Sequence, residues 1–410
     1  MTVTRRTLLA ATAGATAGIA VPAAVQAHPS TVDFAVNAVT LDGGEQVVSL
    51  TLDTSRLGPI APDSLSAATF GVHVRATSPL PPGDQVYDLD RTVTAARLDR
   101  RGRIVVELST AEGQPGGNTL TYIGSRGRNF RLNLVYTVTQ NAPFRLRNGR
   151  AVTVAQFRQG RLTNAEVDAF GYHTSGSGMK YRLFSPGRSG RGARHPLIVW
   201  LHGGGEGASL PDGYYDNETT LRANRGALGF ATPEAQRIFS GAYVVAPQST
   251  SFWLEDGDRF APLIREIVAE VSARHPVDRR RVLVVGCSNG GYMSLKMTTV
   301  YPDDFAASVP ICAVVQSLQP GGPVMITDDE LRGISTPTWL VTSLDDTTVP
   351  PQPNTVHAHE LIPGSLVSLY DTVTWNGHRF PGHWSWIYVA RNDPSVGGTH
   401  VWQWMARRRR

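Results

Sequence analysis

Residues 282–291 read Val282-Leu283-Val284-Val285-Gly286-Cys287-Ser288-Asn289-Gly290-Gly291, and they are the most informative stretch of the chain for its architecture. The apolar run before Gly286 is typical of a strand buried on both faces, and residues 291–300 have the character of a helix. In a Gly-x-Ser-x-Gly turn from strand to helix, the serine hydroxyl is lifted above the sheet. Gly286 and Gly290 suit such a turn because a side chain there would collide with the neighbouring strand or helix. The stretch therefore predicts a nucleophile elbow with Ser288 at its tip.

The residues around this elbow alternate between apolar strands and helical segments. Residues 261–273 form an amphipathic helical pattern, with apolar side chains on one face. Such alternation indicates a mostly parallel sheet with helices on both faces, and we predict an α/β-hydrolase fold over residues 150–410. The predicted strands are 181–184, 196–201, 242–246, 282–285, 307–312, 338–342 and 367–375.

The first part of the chain has a different, all-β pattern. Between residues 30 and 145, short β-branched or apolar segments are separated by turn clusters such as Pro81-Pro82-Gly83-Asp84, and no long helical period occurs. Strands at this spacing are typical of an immunoglobulin-like β-sandwich. The prediction depends on the pattern alone, because the Cys-Trp-Cys signature of antibody domains is absent. The clearest strands are 47–52, 92–96, 103–108 and 132–138.

Residues 1–27 are predicted to be a signal peptide. Arg5-Arg6 is followed by Leu8-Leu9 and an alanine-rich apolar run that ends near Ala27. This pattern resembles the twin-arginine export signal, with cleavage after Ala27. A membrane anchor is the alternative, but so many Ala, Gly and Thr residues make a weak span. We therefore expect a secreted protein without a stable membrane anchor after cleavage.

Composition narrows the class of partner. The chain has 410 residues, 41% of them hydrophobic and 18% charged, and a formal net charge of +5. Its arginines are scattered and no nucleic-acid motif accompanies them, so we expect no nucleic-acid partner. The two cysteines, Cys287 and Cys312, could be buried thiols or a single disulfide.

A serine hydroxyl needs a base and an oriented acid, and in this fold they follow the serine in the order acid, then histidine. His383, in a glycine- and proline-bearing loop after the last predicted strand, is the preferred base, with His378 as the alternative. Asp346, in Asp346-Thr347-Thr348-Val349-Pro350, is the preferred acid. Asp345 is its alternative, although a turn or helix cap is the more ordinary role for that residue.

The negative oxygen of a tetrahedral intermediate needs two backbone N–H donors. One is expected at Asn289, directly after the nucleophile. The other is expected in the glycine loop His202-Gly203-Gly204-Gly205-Glu206-Gly207, with Gly204 preferred and Gly203 next.

We predict no metal and no cofactor. His378 and His383 lie five residues apart, without the further ligands that a zinc site needs. The glycine loop also lacks the Gly-x-Gly-x-x-Gly spacing of a dinucleotide site.

Several motifs together resemble those of bacterial esterases of the prolyl-oligopeptidase-like group, which includes relatives of polyhydroxybutyrate depolymerases and feruloyl esterases. These motifs are the glycine loop with Leu201, Ala246-Pro247-Gln248, the serine elbow, Val309-Pro310-Ile311-Cys312, the Asp346 segment and Gly382-His383. One departure is Ala313, where the pattern leads us to expect glycine. Some members of the group carry an N-terminal immunoglobulin-like domain.

This resemblance implies a serine esterase that cleaves small or polymeric carboxylic esters through an acyl-enzyme. The same scaffold also hosts other activities. The alternatives are a serine peptidase of the prolyl-oligopeptidase type, a polyester depolymerase, and a binding protein on an inactive hydrolase scaffold.

Overall fold

The computed structural model describes residues 31–187, 192–317 and 321–410. The predicted signal peptide, residues 1–27, lies outside the described residues. The first twelve strands are β1 (Thr31–Leu41), β2 (Gly44–Leu52), β3 (Phe70–Thr77), β4 (Gln85–Arg91), β5 (Val93–Leu98), β6 (Ile104–Leu108), β7 (Leu120–Ile123), β8 (Arg128–Arg131), β9 (Asn133–Gln140), β10 (Phe144–Arg145), β11 (Ala151–Val152) and β12 (Gln156–Thr163).

The remaining strands and the α-helices follow in the second part of the chain. The strands are β13 (Phe170–Thr174), β14 (Lys180–Phe184), β15 (His195–Leu201), β16 (Tyr243–Pro247), β17 (Val277–Cys287), β18 (Ala307–Ile311), β19 (Trp339–Ser343), β20 (Leu366–Tyr370), β21 (Val373–Trp375), β22 (His378–Phe380), β23 (Ser395–Val396) and β24 (Thr399–His400). The helices are α1 (Ala165–Asp168), α2 (Thr219–Arg222), α3 (Gly226–Ala231), α4 (Pro233–Ile238), α5 (Gly257–Arg274), α6 (Asn289–Val300), α7 (Asp328–Arg332), α8 (His357–Leu361), α9 (Trp386–Ala390) and α10 (Val401–Ala406).

Two layers of mostly antiparallel strands form the core of the first part of the chain. One sheet has the order β12-β1-β2-β6-β5 and the other has the order β4-β3-β9. Alternate side chains of both sheets are buried in one apolar cluster, which includes Phe34, Leu50, Val72, Val106 and Val138. This alternation arises because successive side chains of a strand point to opposite faces of its sheet.

The first sheet continues past residue 145, where we placed the end of the N-terminal domain. Strand β12 lies beside β1 in parallel, with Thr31 opposite Gln156 and Asn37 opposite Thr163. The chain therefore returns to the edge of this sheet before α1 and β13 lead into the second part.

In the second part, eight strands of the described residues form one sheet with the order β13-β14-β16-β15-β17-β18-β19-β20. The neighbours from β16 to β20 are parallel, and β13 and β14 form an antiparallel edge. Because parallel strands end at the same edge, the loops after β15, β17, β18 and β19 converge there. These loops carry the glycine loop, Ser288, Cys312 and Asp346.

Two apolar cores cover the two faces of this sheet. Val199 and Val284 face the core that α5 and α6 cover, and Trp200 and Val285 face the core that α3, α4 and α10 cover. Both faces are buried, so the strands consist of continuous apolar residues, as the sequence indicated.

The predicted strand 367–375 is wrong in its extent. The chain leaves the large sheet after Tyr370, and residues 373–375 instead form a hairpin with residues 378–380. Asn376 and Gly377 occupy the turn with positive φ angles of 48° and 79°, a backbone that suits these two residue types.

The two parts are joined by buried charged groups. Arg222 of α2 pairs with Glu45 of β2 and with Glu218, and the Arg222 and Glu45 side chains are almost completely buried. Arg391 pairs with Asp42 at 2.8 Å. Removing one partner of a buried pair leaves an uncompensated charge, so these contacts resist separation of the two parts. Among the helices that the structure describes, none has the length and apolar character that crossing a membrane requires.

Candidate active site

Ser288 lies in a strained turn between β17 and α6. Its backbone angles are φ 54° and ψ −114°, outside the regions that most side chains favour. The Ser288 N–H donates to the Ile311 carbonyl at 2.8 Å, and the Ser288 carbonyl accepts from the Tyr292 N–H at 3.0 Å. These bonds hold the turn, and the partly exposed side chain lies at the carboxyl edge of the sheet. Strain of this kind is common at functional sites.

The glycines on either side of Ser288 leave no room for a side chain. A Cβ atom on Gly286 would lie 2.3 Å from the Gly290 carbonyl oxygen. A Cβ atom on Gly290 would lie 2.0 Å from the Leu201 carbonyl oxygen. Both contacts are with backbone atoms that cannot rotate away, so the turn requires glycine at these two positions.

Asp346 and His383 are brought together although 37 residues separate them in the chain. His383 Nδ1 lies 2.8 Å from Asp346 Oδ2. The same carboxyl group accepts the N–H groups of Thr348 and Val349, each at 2.9 Å. Asp346 is only 3% exposed, and its several donors fix the direction in which it holds the imidazole ring.

Burial disfavours the charged form of His383. The neighbouring Cys312 and the hydrogen bond with Asp346 outweigh this effect, so the pKa of His383 is raised above its ordinary value. In the described part of the chain, the Ser288 hydroxyl makes no hydrogen bond with His383. Hydrogen bonds between a nucleophile and its base are often long before substrate binds, so the missing bond is compatible with His383 as the base.

The alternative acid, Asp345, packs against Gly382 and the alternative base lies on the hairpin, and both make other contacts. Asp345 accepts from the Ser343 hydroxyl and from Arg379 Nη2, the latter at 3.0 Å. His378 lies on β22, where its ring contacts Phe380 edge-on with the ring centroids 4.6 Å apart. Neither residue contributes to the Asp346–His383 contact.

Cys312 lies directly after β18 and beside His383. Its thiol donates to the His383 carbonyl at 3.4 Å. Cys287 and Cys312 are both buried free thiols. Among the described residues, Cys312, Asp346 and His383 form a group with metal-ligating atoms within 4.8 Å of one another. Asp346 and His383 already bind each other in this group.

The two predicted oxyanion donors lie on adjacent segments. Gly204 begins a short 3₁₀ turn, Gly204–Glu206, after β15. A Cβ atom on Gly204 would lie 3.2 Å from the Phe252 ring and 3.5 Å from Asn289 Nδ2. The Asn289 side-chain oxygen accepts the Leu254 N–H at 3.0 Å, which ties this segment to the loop that carries Phe252.

Three tryptophans lie near these loops and differ in role. Trp253 is completely buried, and its Nε1 donates to the His202 carbonyl at 3.0 Å. Trp384 and Trp386 are partly exposed, and the Trp386 ring meets the His383 ring edge-on at 5.6 Å. Trp386 therefore contacts the imidazole and Trp384 stacks on Trp386 with the ring centroids 5.7 Å apart, whereas Trp253 belongs to the core.

Sequence reasoning missed Glu206 as a functional candidate. This residue of the glycine loop is only 8% exposed. Burial raises its pKa to about 7, although the Gly203 N–H and the charges of His383 and Arg128 act in the opposite direction. A carboxyl group titrating near neutral pH inside a candidate site is a typical functional feature. The burial comes from the N-terminal part of the chain, which no local motif reveals.

Comparisons with known proteins support the α/β-hydrolase fold that the sequence predicted for the second part of the chain. Residues 254–320 match the profile of the Prolyl oligopeptidase family. The chain is 32% identical over 143 residues to "Poly(3-hydroxyalkanoate) depolymerase C" of Paucimonas lemoignei, covering 32% of this chain and 30% of that protein. It is 28% identical over 151 residues to NocK of Nocardia uniformis subsp. tsuyamanensis, a protein provisionally named as an esterase, covering 36% of this chain and 42% of that protein. The matched segments thus span less than half the length of either curated relative.

A solved structure named as a thermostable esterase matches both parts of the chain. It has a TM-score of 0.74 at 22% identity and covers 92% of this chain and 99% of that one. At this identity the likeness shows the fold, and it confirms the predicted α/β-hydrolase fold of the second part.

Proposed function

We propose that this protein is a secreted serine hydrolase that cleaves carboxylic esters through an acyl-enzyme. Ser288 is the nucleophile, His383 the general base and Asp346 the acid that orients it. The Gly204 and Asn289 N–H groups form the oxyanion hole. The observation that carries this proposal is the 2.8 Å contact between His383 Nδ1 and the buried Asp346 carboxylate, at the edge of the sheet where the strained Ser288 turn is also found.

In this mechanism, Asp346 holds the His383 tautomer that has its proton on Nδ1, which leaves Nε2 free as the base. His383 removes the Ser288 proton as the hydroxyl attacks the ester carbonyl. The imidazolium then protonates the leaving alcohol, and water hydrolyses the acyl-enzyme by the reverse series of proton transfers. Each oxyanion donor contributes on the order of 3 kcal/mol of transition-state stabilisation.

Labelling with a fluorophosphonate tests the nucleophile. We expect the wild-type protein to be labelled and Ser288→Ala to remain unlabelled. Ser251→Ala is the matched control, because Ser251 is a partly exposed serine on the neighbouring loop, and it should be labelled as the wild type is. If the wild-type protein resists the probe, the chain is better explained as a binding protein on an inactive hydrolase scaffold.

Substrate class is tested with short p-nitrophenyl esters beside aminoacyl-nitroanilides. We expect ester turnover to exceed anilide turnover by a large factor. The reverse result would favour a serine peptidase of the prolyl-oligopeptidase type, in line with the family profile that residues 254–320 match. Insoluble poly(3-hydroxyalkanoate) should be included because one relative is named as its depolymerase. Release of soluble acids from it would identify a polyester depolymerase.

We further propose that residues 1–27 are a twin-arginine signal peptide and that the N-terminal β-layers are an immunoglobulin-like sandwich. The Arg5-Arg6 pair and the apolar run after it support the first proposal, and the two sheets around one core support the second. Replacing Arg5-Arg6 by Lys-Lys should abolish export through the twin-arginine pathway. Unchanged export of that variant would contradict the proposed route.

A further inference from the structure

Glu206 is the buried charged residue of the glycine loop that the proposed mechanism does not use. Its own N–H donates to the Gly203 carbonyl at 3.3 Å, which closes the 3₁₀ turn. Its carboxyl group lies beside Gly203, because a Cβ atom built there would be 3.0 Å from Glu206 Oε2 and 3.5 Å from Cys287 Sγ. The carboxyl group therefore lies between the glycine loop and the residue that precedes Ser288.

The Glu206 carboxyl group has few donors. The N–H groups of Gly203 and of Glu206 itself lie near it and favour its ionised form. The Asn129 side-chain amide, from β8 of the N-terminal part, lies 3.5 Å from Oε1. In the described part of the chain, Glu206 forms no ion pair within 4 Å. Buried carboxylates are normally paired or bound by several donors, so this group is poorly compensated when ionised.

A hairpin of the N-terminal part covers the loop. Strands β7 and β8 bring Asn129 and Tyr122 over Gly205, where an added Cβ atom would lie 2.8 Å from Asn129 Nδ2 and 3.6 Å from the Tyr122 ring. Arg128 on the same hairpin stacks over the Phe252 ring at 3.1 Å and donates to the Ala208 carbonyl at 2.9 Å. The hairpin thus shields Glu206 from water. Arg128 on this hairpin contacts Phe252 and Ala208 instead of pairing with the Glu206 carboxyl group.

The titratable groups that face Glu206 from the surrounding elements are few. Arg128 lies on β8 and His383 lies on the loop after β22, and both favour the ionised carboxylate. Cys287 lies at the end of β17, and burial and Glu206 raise the pKa of its thiol, so it is neutral. Burial lowers the pKa of His202 to about 4, so that imidazole is also neutral near pH 7. Glu255 acts on Arg128 from the loop before α5.

We propose that Glu206 is a titrating positioning residue of the oxyanion loop, and that its protonated form supports ester hydrolysis better than its ionised form. The carboxyl group lies against Gly203, which directly precedes the turn that presents the Gly204 N–H. The carboxylate would add a negative charge beside the oxygen that becomes negative in the transition state. The burial that leaves the carboxylate poorly compensated also raises the pKa of Glu206 to about 7, which places this change in the neutral range. This inference rests on the proposed function.

The test compares kcat and KM of wild type and Glu206→Gln on a short p-nitrophenyl ester from pH 5.5 to 8.5. Because the charges of Glu206 and His383 interact, the inflection of His383 is fitted separately in each profile before the two kcat values are compared. We expect Glu206→Gln and wild type to agree near pH 5.5, and the variant to become about tenfold faster by pH 8.5, with KM nearly unchanged. A ratio that stays constant over this range would overturn the proposal, since a purely structural role has no such pH dependence.

Glu112→Gln is the matched control, because burial also raises the pKa of Glu112 while its carboxyl group binds the Asp42 and Gly43 N–H groups instead of the glycine loop. Its kcat ratio to wild type should not vary with pH.

Asn129→Asp is a second variant that keeps Glu206. A new carboxylate 3.5 Å from Oε1 should move the wild-type inflection to higher pH, and an unmoved inflection would contradict the assignment. If wild type neither hydrolyses the ester nor reacts with the fluorophosphonate, the proposed function fails together with this inference. If the fluorophosphonate labels wild type normally but the kcat ratio of Glu206→Gln to wild type does not change with pH, only the inference about Glu206 fails.

Discussion

Asp346 and Glu206 are buried carboxyl groups at the same edge of the same sheet, and their surroundings are opposite. The Asp346 carboxyl group accepts two backbone N–H groups at 2.9 Å and contacts His383 at 2.8 Å. The Glu206 carboxyl group has one side-chain donor, the Asn129 amide nitrogen at 3.5 Å, beside the N–H groups of Gly203 and of Glu206 itself. Both carboxyl groups are nearly inaccessible to water, at 3% and 8% exposure of their residues, so burial alone does not distinguish them.

The difference shows that donors decide the charge that a buried carboxyl group can hold. Hydrogen bonds to the ionised form offset the loss of water, and their absence favours the protonated form. These donors hold the Asp346 carboxyl group in the direction of the His383 ring. Glu206 is suited to change its charge near neutral pH, where its pKa of about 7 lies.

The largest expected effect comes from removing the Asp346 charge. Asp346→Asn should lower kcat on a p-nitrophenyl ester by on the order of 10⁴-fold, because an amide favours the wrong imidazole tautomer. Asp345→Asn is the control in the adjacent position, since Asp345 contacts Ser343 and Arg379 rather than His383. Steady-state kinetics above and below pH 7 measure both variants. An equal loss of kcat in Asp346→Asn and Asp345→Asn would contradict the role proposed for Asp346.

A smaller effect is expected in the stability of Glu206→Gln. The pKa of Glu206 is raised from 4.5 to about 7, so the unfolded chain ionises first as the pH rises. Folding is not penalised below pH 4.5, and the penalty grows until about pH 7. With about 1.4 kcal/mol for each pKa unit, it reaches roughly 3 kcal/mol.

Urea unfolding at pH 5 and pH 8 measures this penalty. Relative to wild type, Glu206→Gln should gain roughly 2–3 kcal/mol in the free energy of unfolding between these pH values. Glu112→Gln should show a weaker trend of the same sign, because two backbone N–H groups stabilise the Glu112 carboxylate. A stability difference between wild type and Glu206→Gln that is the same at both pH values would show that Glu206 is ionised throughout.

The smallest effect is expected from Asn129→Ala. A contact of 3.5 Å is a weak hydrogen bond, so its loss should change kcat at pH 7 by less than about threefold and the free energy of unfolding by less than about 1 kcal/mol. Kinetics and urea unfolding under identical conditions measure both quantities. A tenfold or larger loss of kcat would mean that Asn129, rather than the Gly203 N–H, holds Glu206 in place.

Strand and helix types were readable from the sequence wherever the pattern was long. The apolar run before Gly286 predicted β17, and the amphipathic pattern of residues 261–273 predicted α5, which the structure extends to Gly257–Arg274. Glycine was expected on both sides of Ser288 because a side chain there would have no room. The structure shows the backbone atoms that occupy that space. Local patterns were sufficient here because strand pleating and helix pitch act on neighbouring residues.

The division of the run from Val367 to Trp375 was missed although its signal is local, because the second half pairs with residues 378–380 across the Asn376-Gly377 turn. Longer-range pairings were not readable. Strand β12 lies in the predicted catalytic domain by sequence, yet it pairs with β1 across about 125 residues. Pairing partners at such distances leave no local trace in composition.

The site divides in the same way. Local motifs predicted the elbow, the glycine loop, and Asp346 and His383 as the preferred acid and base, since each belongs to a motif whose residue types follow from the chemistry. Folding was needed to show which aspartate contacts which histidine, and to place Glu206 under a hairpin from the other part of the chain. The physical reason is that a motif reflects the backbone around it, whereas the charge of a buried group depends on donors and water excluded by segments far away in sequence.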